Sequence, residues 1–194
     1  MRFLPGLICL LPLLSPLAHA ELIDDINDRG ELRIALEANT PPFNFRDDGK
    51  LTGFEVELGQ LLANELDVRA EFVVVDAAEL LPGVESGKYD IALNHIAVTP
   101  QLKDRFDFSE SYGQASSQRI AMQDDAPRPM VLVQSLNAEK KPDTPVDLAI
   151  PFQKGNPAFH TSLASAMQRI KADGRLEALS QKWLQPDKDA APKP

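Results

Sequence analysis

The side chains able to do chemistry in this chain are few, and their spacing excludes more than it supports. Of three histidines, the two beyond the N-terminal apolar run, His95 and His160, have no second ligand type at metal-binding spacing, so neither a metal nor any other cofactor is expected. No Gly-x-Ser-x-Gly elbow, Ser/His/Asp spacing or phosphate-cradling glycine loop occurs, and the chain is not expected to be an enzyme. What remains suits binding rather than catalysis. Glu37 directly follows the stretch Leu32–Leu36, apolar except for Arg33; Asn94 and His95 directly follow the apolar stretch 91–93; and Thr99 precedes a proline. Polar groups at strand ends can hydrogen-bond a small polar solute, or stand there simply as hydrated strand ends.

An alternation of strand and helix must position these residues. Leu22, Ile23 and Ile26 form a short helical face that Gly30 ends, Leu32–Leu36 is a strand, and Pro41-Pro42 can continue neither kind of element. After the turn Asp47-Asp48-Gly49-Lys50, Phe54, Leu58, Leu61, Leu62 and Leu66 fall on one helical stripe, and the strand Phe72–Val75 follows. Leu80, Leu81 and Val84 predict a further helix closed by Gly87, then the strand Ile91–Leu93. Such alternation predicts a mostly parallel sheet with helices on both faces. Thr99-Pro100 supplies the cap and first-turn proline of another helix. The segment Ser117–Met122 is expected to cross out of the fold and Val146–Phe152 to return. Between them only Val131–Gln134 has strand character, so 123–145 reads as a loop or vestigial insertion. A helix over Pro157–Asp173 turns Phe159, Leu163, Met167 and Ile170 inward, Gly174 breaks it, and a last helix carries Leu176, Leu179 and Trp183. The Pro/Lys/Ala composition of 186–194 predicts a disordered tail.

Arg2, the proline-broken apolar run from Leu4 to Leu17, and Ala18-His19-Ala20 before Glu21 have the form of a secretory signal (residues 1–20) cleaved after Ala20. The run is too short to span a bilayer, and no membrane insertion is expected. The only cysteine, Cys9, lies within it, so the mature chain would have neither disulfides nor thiolate chemistry and must rely on an ordinary core. Without Arg2, 19 Lys+Arg stand against 29 Asp+Glu, a net charge of −10. That balance disfavours nucleic acid and anionic lipid, whose binding begins with Lys and Arg neutralising phosphates.

Taken in order, several segments resemble the amino-acid-type (family 3) substrate-binding proteins of bacterial ABC importers. They are Pro41-Pro42-Phe43-Asn44-Phe45, Lys50-Leu51-Thr52-Gly53-Phe54-Glu55, Gly87-Lys88-Tyr89-Asp90, Thr99-Pro100, Asp107-Phe108-Ser109, Lys154-Gly155-Asn156-Pro157, Asp173-Gly174-Arg175-Leu176 and Lys182-Trp183-Leu184. The resemblance implies a three-layer α/β lobe with a mostly parallel sheet, discontinuous over 21–122 and 146–185. It also implies a periplasmic location and an ABC permease or another periplasmic protein as partner. Family members close two lobes over a solute, whereas 123–145 is too short for a second lobe, which is therefore expected to be vestigial.

The solute contacts implied by the resemblance are mostly replaced. Leu102 stands where an arginine takes the ligand α-carboxylate, Ala77 and Thr40 where aromatic or apolar residues cover the solute, and Ala97 where a hydroxyl meets the α-amino group. Leaving a desolvated carboxylate unpartnered costs about 2–5 kcal/mol, and 1.4 kcal/mol is tenfold in affinity. Glu37 occupies an acidic position that pairs with the side chain of basic amino acids. A candidate cleft then comprises Glu37, Thr40, Phe43, Asn94, His95 and Thr99, with Phe43 and Phe45 forming an apolar patch if exposed. Dehydratase relatives of the fold need the same arginine and groups from a second lobe. Two readings follow: an accessory, partner-binding lobe degenerate in amino-acid capture, or a working receptor for an amino acid or another small polar solute.

Overall fold

A computed structural model describes residues 21–116 and 145–184. Helix α1 (Leu22–Arg29) stops where Gly30 takes a left-handed conformation, φ 68°, and returns its N–H to the carbonyls of Ile26 and Asn27. Strand β1 (Glu31–Leu36) starts at once and lies parallel to β5 (Arg69–Val74) on one side and β6 (Ile91–Ala92) on the other. Strand β10 (Pro151–Gln153) runs antiparallel between β6 and β7 (Phe106–Phe108), giving the order β5-β1-β6-β10-β7. Only β10 opposes the common direction, so the sheet is mostly parallel, as expected.

The period of two along the strands sorts side chains between two helical layers. Leu32 and Ile34 of β1, with Ile91 and Leu93, face α2 (Phe54–Glu65), α5 (Pro157–Ala172) and α6 (Arg175–Trp183), whose Leu58, Leu62, Phe159, Leu163, Met167 and Ile170 complete that core. Ala35 and Ala92 face the opposite way, onto Leu80 and Val84 of α3 (Ala77–Glu85) and Leu102 of α4 (Pro100–Lys103). Helix α2 rides low over the sheet: a Cβ on Gly59 would stand 2.9 Å from the side chains of Ile34 and Phe72. The entry to β6 is pinned by Asp90, whose carboxylate accepts from the backbone N–H of Arg33 and from the guanidinium groups of Arg33 and Arg29 at 2.6–2.7 Å.

Two regions differ from the sequence-based expectation. The stretch around Pro41-Pro42 is a small antiparallel sheet of β2 (Asn39–Thr40), β3 (Asn44–Asp47) and β4 (Lys50–Thr52), closed by a hairpin turn with Asp48 and Gly49 at positive φ. Such short strands are stabilised by one another and by Trp183, whose ring meets Phe45 edge-on at 5.9 Å. Before Ser117, β8 (Gly113–Ser116) pairs antiparallel with β9 (Pro145–Leu148) in a ribbon, and the expected strand Val146–Phe152 splits into β9 and β10. The expected crossing at 117–122, the strand at 131–134, the signal at 1–20 and the tail at 186–194 lie outside the described residues. No helix among the described residues is long and apolar enough to cross a membrane.

Candidate functional site

Glu37 leaves the carboxyl end of β1 while Asn94 and His95 leave that of β6, so parallel pairing of the two strands brings them to one edge of the sheet. Ligands of open α/β sheets characteristically bind at this edge. Asn94 holds Glu37 twice: its Nδ2 donates to Glu37 Oε2 at 2.8 Å, and its Oδ1 accepts the Glu37 backbone N–H at 3.3 Å. Glu37 and Asn94 are only 8% and 9% exposed. They are therefore a packed, bonded pair and not the hydrated strand ends that the sequence also allowed.

His95 takes a left-handed backbone, φ 43°, and its ring lies against half-buried Phe43 with centroids 5.3 Å apart. Beneath this turn sits Glu55, the second residue of α2, fully buried. Its carboxyl accepts from three donors: the His95 backbone N–H, Asn44 Nδ2 at 2.6 Å and the Tyr112 hydroxyl at 2.5 Å. Asn44 Nδ2 also reaches Asn94 Oδ1 and the carbonyl of Leu93, each at 3.2 Å. A hydrogen-bonded chain thus runs from Glu55 through Asn44 and Asn94 to Glu37. Burial pushes the Glu55 carboxyl up from 4.5 to about 7, against the opposing pull of its three donors. Burial, followed by the Glu55 charge, holds the Tyr112 phenol well above its ordinary range.

The remaining candidates are used locally. The Thr99 side chain caps α4 by accepting the Leu102 N–H at 3.2 Å, which follows from its place before Pro100. The buried Thr40 hydroxyl donates to Asn39 Oδ1 at 3.0 Å. Leu102 is 7% exposed and packs with Ala35, Leu80, Val84 and Phe106, so its side chain belongs to the second core and does not line an open cleft. The apolar patch envisaged at Phe43 and Phe45 does not form: Phe43 packs on Phe54 and His95, and Phe45 on Trp183.

A concavity of about 420 Å³ opens beside this edge, and Glu37, Asp76 and Glu79 give its lining an acidic character. Of the candidates read from sequence, Glu37 alone lines it. A second concavity of about 480 Å³, near Asp107, Asp147 and His160, contains none of them. No group of three or more His, Cys, Asp and Glu among the described residues could hold a metal ion. Glu55, Asn44 and Tyr112 were not recognisable as site residues in the sequence, because two glutamates in a helix's first turn read as solvated complements to its dipole. A signal was nonetheless present: Glu55 heads the stripe of Leu58, Gly59, Leu62 and Ala63, all of them buried.

The chain is similar to the L-cystine-binding protein TcyJ of Escherichia coli (38% identity over 96 residues, 49% of this chain and 36% of that protein). It is also similar to the L-arginine-binding protein of Pseudomonas aeruginosa (34% over 82 residues, 42% of this chain and 32% of that protein). The matched stretch thus spans about a third of the length of these curated relatives. Among solved structures, the ancestral amino acid-binding protein AncCDT-1, a precursor of cyclohexadienyl dehydratase, superimposes with a TM-score of 0.68 at 24% identity, covering 86% of this chain and 100% of that one. The arginine-bound form of domain 1 from TmArgBP gives 0.57 at 22%, covering 75% and 98%. At these identities the structures speak for the fold alone. Residues 32–186 match the family of bacterial extracellular solute-binding proteins, family 3, and the chain belongs to that family.

Proposed function

We propose that this chain is a non-catalytic binding lobe, accessory to amino-acid uptake, that takes its ligand by an amine or guanidinium group and not by an α-carboxylate. The observation that carries this reading is the contrast between two positions. Leu102, where the resemblance implies an arginine for the carboxylate, is buried in the core, whereas Glu37 is kept at the strand edge, held by Asn94 beside an acidic concavity. Glu37, Asp76 and Glu79 line this edge, with Lys88 beside Glu79 at 3.7 Å and no lysine or arginine lining it among the described residues, and that balance favours a positive ligand. The lobe would comprise 21–122 with 146–185, act in the periplasm after cleavage behind Ala20, and meet the cation on a bulky ligand or partner protein that need not be enclosed.

The competing reading, a receptor for an intact amino acid that serves an ABC permease, draws on one observation: domain 1 from TmArgBP, to which this chain is similar in fold, has an arginine-bound form. Agmatine, which is arginine without its carboxylate, separates the two. Saturation at 100 times Kd adds about 2.7 kcal/mol of stability, a readily measured rise in Tm. Thermal shift should respond to agmatine at least as strongly as to arginine. A response to arginine with none to agmatine would establish the receptor reading instead, and no response to either would remove the cation reading.

A further inference from the structure

The chain of hydrogen bonds that ends at Glu37 begins at a residue with a second set of contacts. Glu55 reaches two segments that flank β9. His95 immediately precedes 96–98, which bonds to β9 through the Val98 N–H to the Asp147 carbonyl at 2.9 Å, and to the residue just after β9 through the Ala149 N–H to the Ile96 carbonyl at 3.2 Å. Tyr112 immediately precedes β8 and gives its own N–H to the Leu148 carbonyl at 3.0 Å. One carboxyl therefore holds the strand edge and the root of the ribbon together. We propose that Glu55 is a positioning residue that couples the Glu37–Asn94 edge to the β8–β9 ribbon, so that the charge state of its carboxyl sets the geometry of both.

Donor and acceptor counting gives the reason. Asn44 Nδ2, the His95 N–H and the Tyr112 hydroxyl all donate, which suits an ionised carboxylate. Once neutral, the carboxyl must donate a proton itself, and neither N–H can accept it. A proton on Oε1 can be accepted by the Tyr112 oxygen only if that hydroxyl stops donating and turns its own hydrogen away from Glu55. A proton on Oε2 forces the Asn44 amide to flip, presenting its Oδ1, which has no hydrogen-bond partner among the described residues, and withdrawing Nδ2 from Leu93 and Asn94. The first change reverses the hydrogen bond at the ribbon root; the second loosens Asn94 and with it Glu37. Burial pushes the carboxyl up to about 7, so both forms are accessible near neutral pH. The titratable groups facing it are Tyr112 from the turn before β8 and His95 from the segment after β6, with Glu37 three hydrogen bonds away through Asn44 and Asn94; Asn44 on β3 is uncharged.

Side-chain amide and backbone resonances of the full chain, followed by ¹H–¹⁵N correlation spectra from pH 5.5 to 8.5, test this directly. The Asn44 and Asn94 side-chain amides and the backbone amides of Tyr112, Gly113 and Leu148 should titrate with one shared midpoint. Glu55→Gln, which mimics the neutral form, should abolish that titration at both places. His95→Asn, which tolerates the left-handed backbone but has no imidazole, should keep it. Tyr112→Phe should keep the titration at the edge and lose it in the ribbon, while preserving ring packing on Phe54. Separate midpoints for edge and ribbon, persistence in Glu55→Gln, or loss in His95→Asn would each overturn the proposal. Its ligand arm rests on the cation reading above: agmatine should bind roughly fivefold or more tightly at pH 8.5 than at pH 5.5, and saturating agmatine should lower the shared midpoint. If agmatine fails to bind at any pH, the cation reading falls, while the amide titrations still decide the role of Glu55.

Discussion

Gly53 passes so close beneath Phe43 that a Cβ at position 53 would stand 2.3 Å from the Phe43 carbonyl oxygen. That contact seats α2. The first helical N–H groups, of Phe54 and Glu55, donate to the carbonyls of Pro42 and Phe43 at 3.0 and 2.8 Å, replacing a side-chain cap and setting Glu55 under the strand edge. Gly53 also holds φ 125°, which other residues rarely adopt. Gly53→Ala should therefore cost more than about 3 kcal/mol in urea denaturation, adding backbone displacement to strain. Gly49→Ala, at φ 80° with open space around it, should cost only about 1 kcal/mol.

The burial of Leu102 makes substitution by the arginine that the resemblance implies unfavourable. A guanidinium among Ala35, Leu80, Val84 and Phe106 would be desolvated without a carboxylate bonded to it, so Leu102→Arg should destabilise by about 3 kcal/mol or more. Leu102→Ala, which leaves a cavity and no charge, should cost about 2–3 kcal/mol. Chemical denaturation of both variants measures the difference, and calorimetric titration with arginine should detect no gained affinity in Leu102→Arg.

Asp90 has a fully buried side chain facing two guanidinium groups that are about a quarter to a third exposed. Asp90→Asn retains size but gives up the charge and one acceptor, leaving Arg29 and Arg33 uncompensated at the junction of β1 and β6. A loss of about 2–3 kcal/mol is expected, at the lower end for a broken buried pair because the arginines keep part of their hydration. A parallel fall in stability for Asp90→Ala and Asp90→Asn would show that charge and not volume is responsible.

Glu55 gives stability an unusual pH dependence. Its carboxyl keeps a proton up to about 7 in the folded chain against 4.5 ordinarily. Between those values the folded state binds a proton that the unfolded state has released, so this group's contribution falls as pH rises from about 4.5 to about 7 and is level above that window. The full difference is on the order of 3 kcal/mol. Urea denaturation of the wild type and Glu55→Gln at pH 5 and pH 8 checks it: the wild type should lose more stability than the variant between the two. Equal losses would remove Glu55 as the source.

Much of the fold was legible because its signals are local. Gly30 and Gly174 end helices at positive φ, Thr99 caps α4, and Phe159, Leu163, Met167 and Ile170 all turn inward at helical spacing. The small β2-β3-β4 sheet was not legible, since strands so short carry no period and are held by cross-strand pairing and by Trp183. The exposure of Phe43 and Leu102 was likewise undecidable from spacing, because it depends on which element lies across from them.

Spacing and caps were thus enough to predict a mostly parallel α/β sheet with helices on both faces, and the motifs that carry the family resemblance, with Leu102 where that resemblance implies an arginine, could be read from neighbouring residues of one chain. Only the tertiary structure decided that Glu37 and Asn94 form a bonded pair, that Leu102 is core, and that Glu55 links the strand edge to the ribbon through Asn44, His95 and Tyr112. The reason is physical. A buried carboxyl is stable only where donors from distant segments converge on it, and that convergence exists only once β3, β6 and the start of β8 have packed around the head of α2.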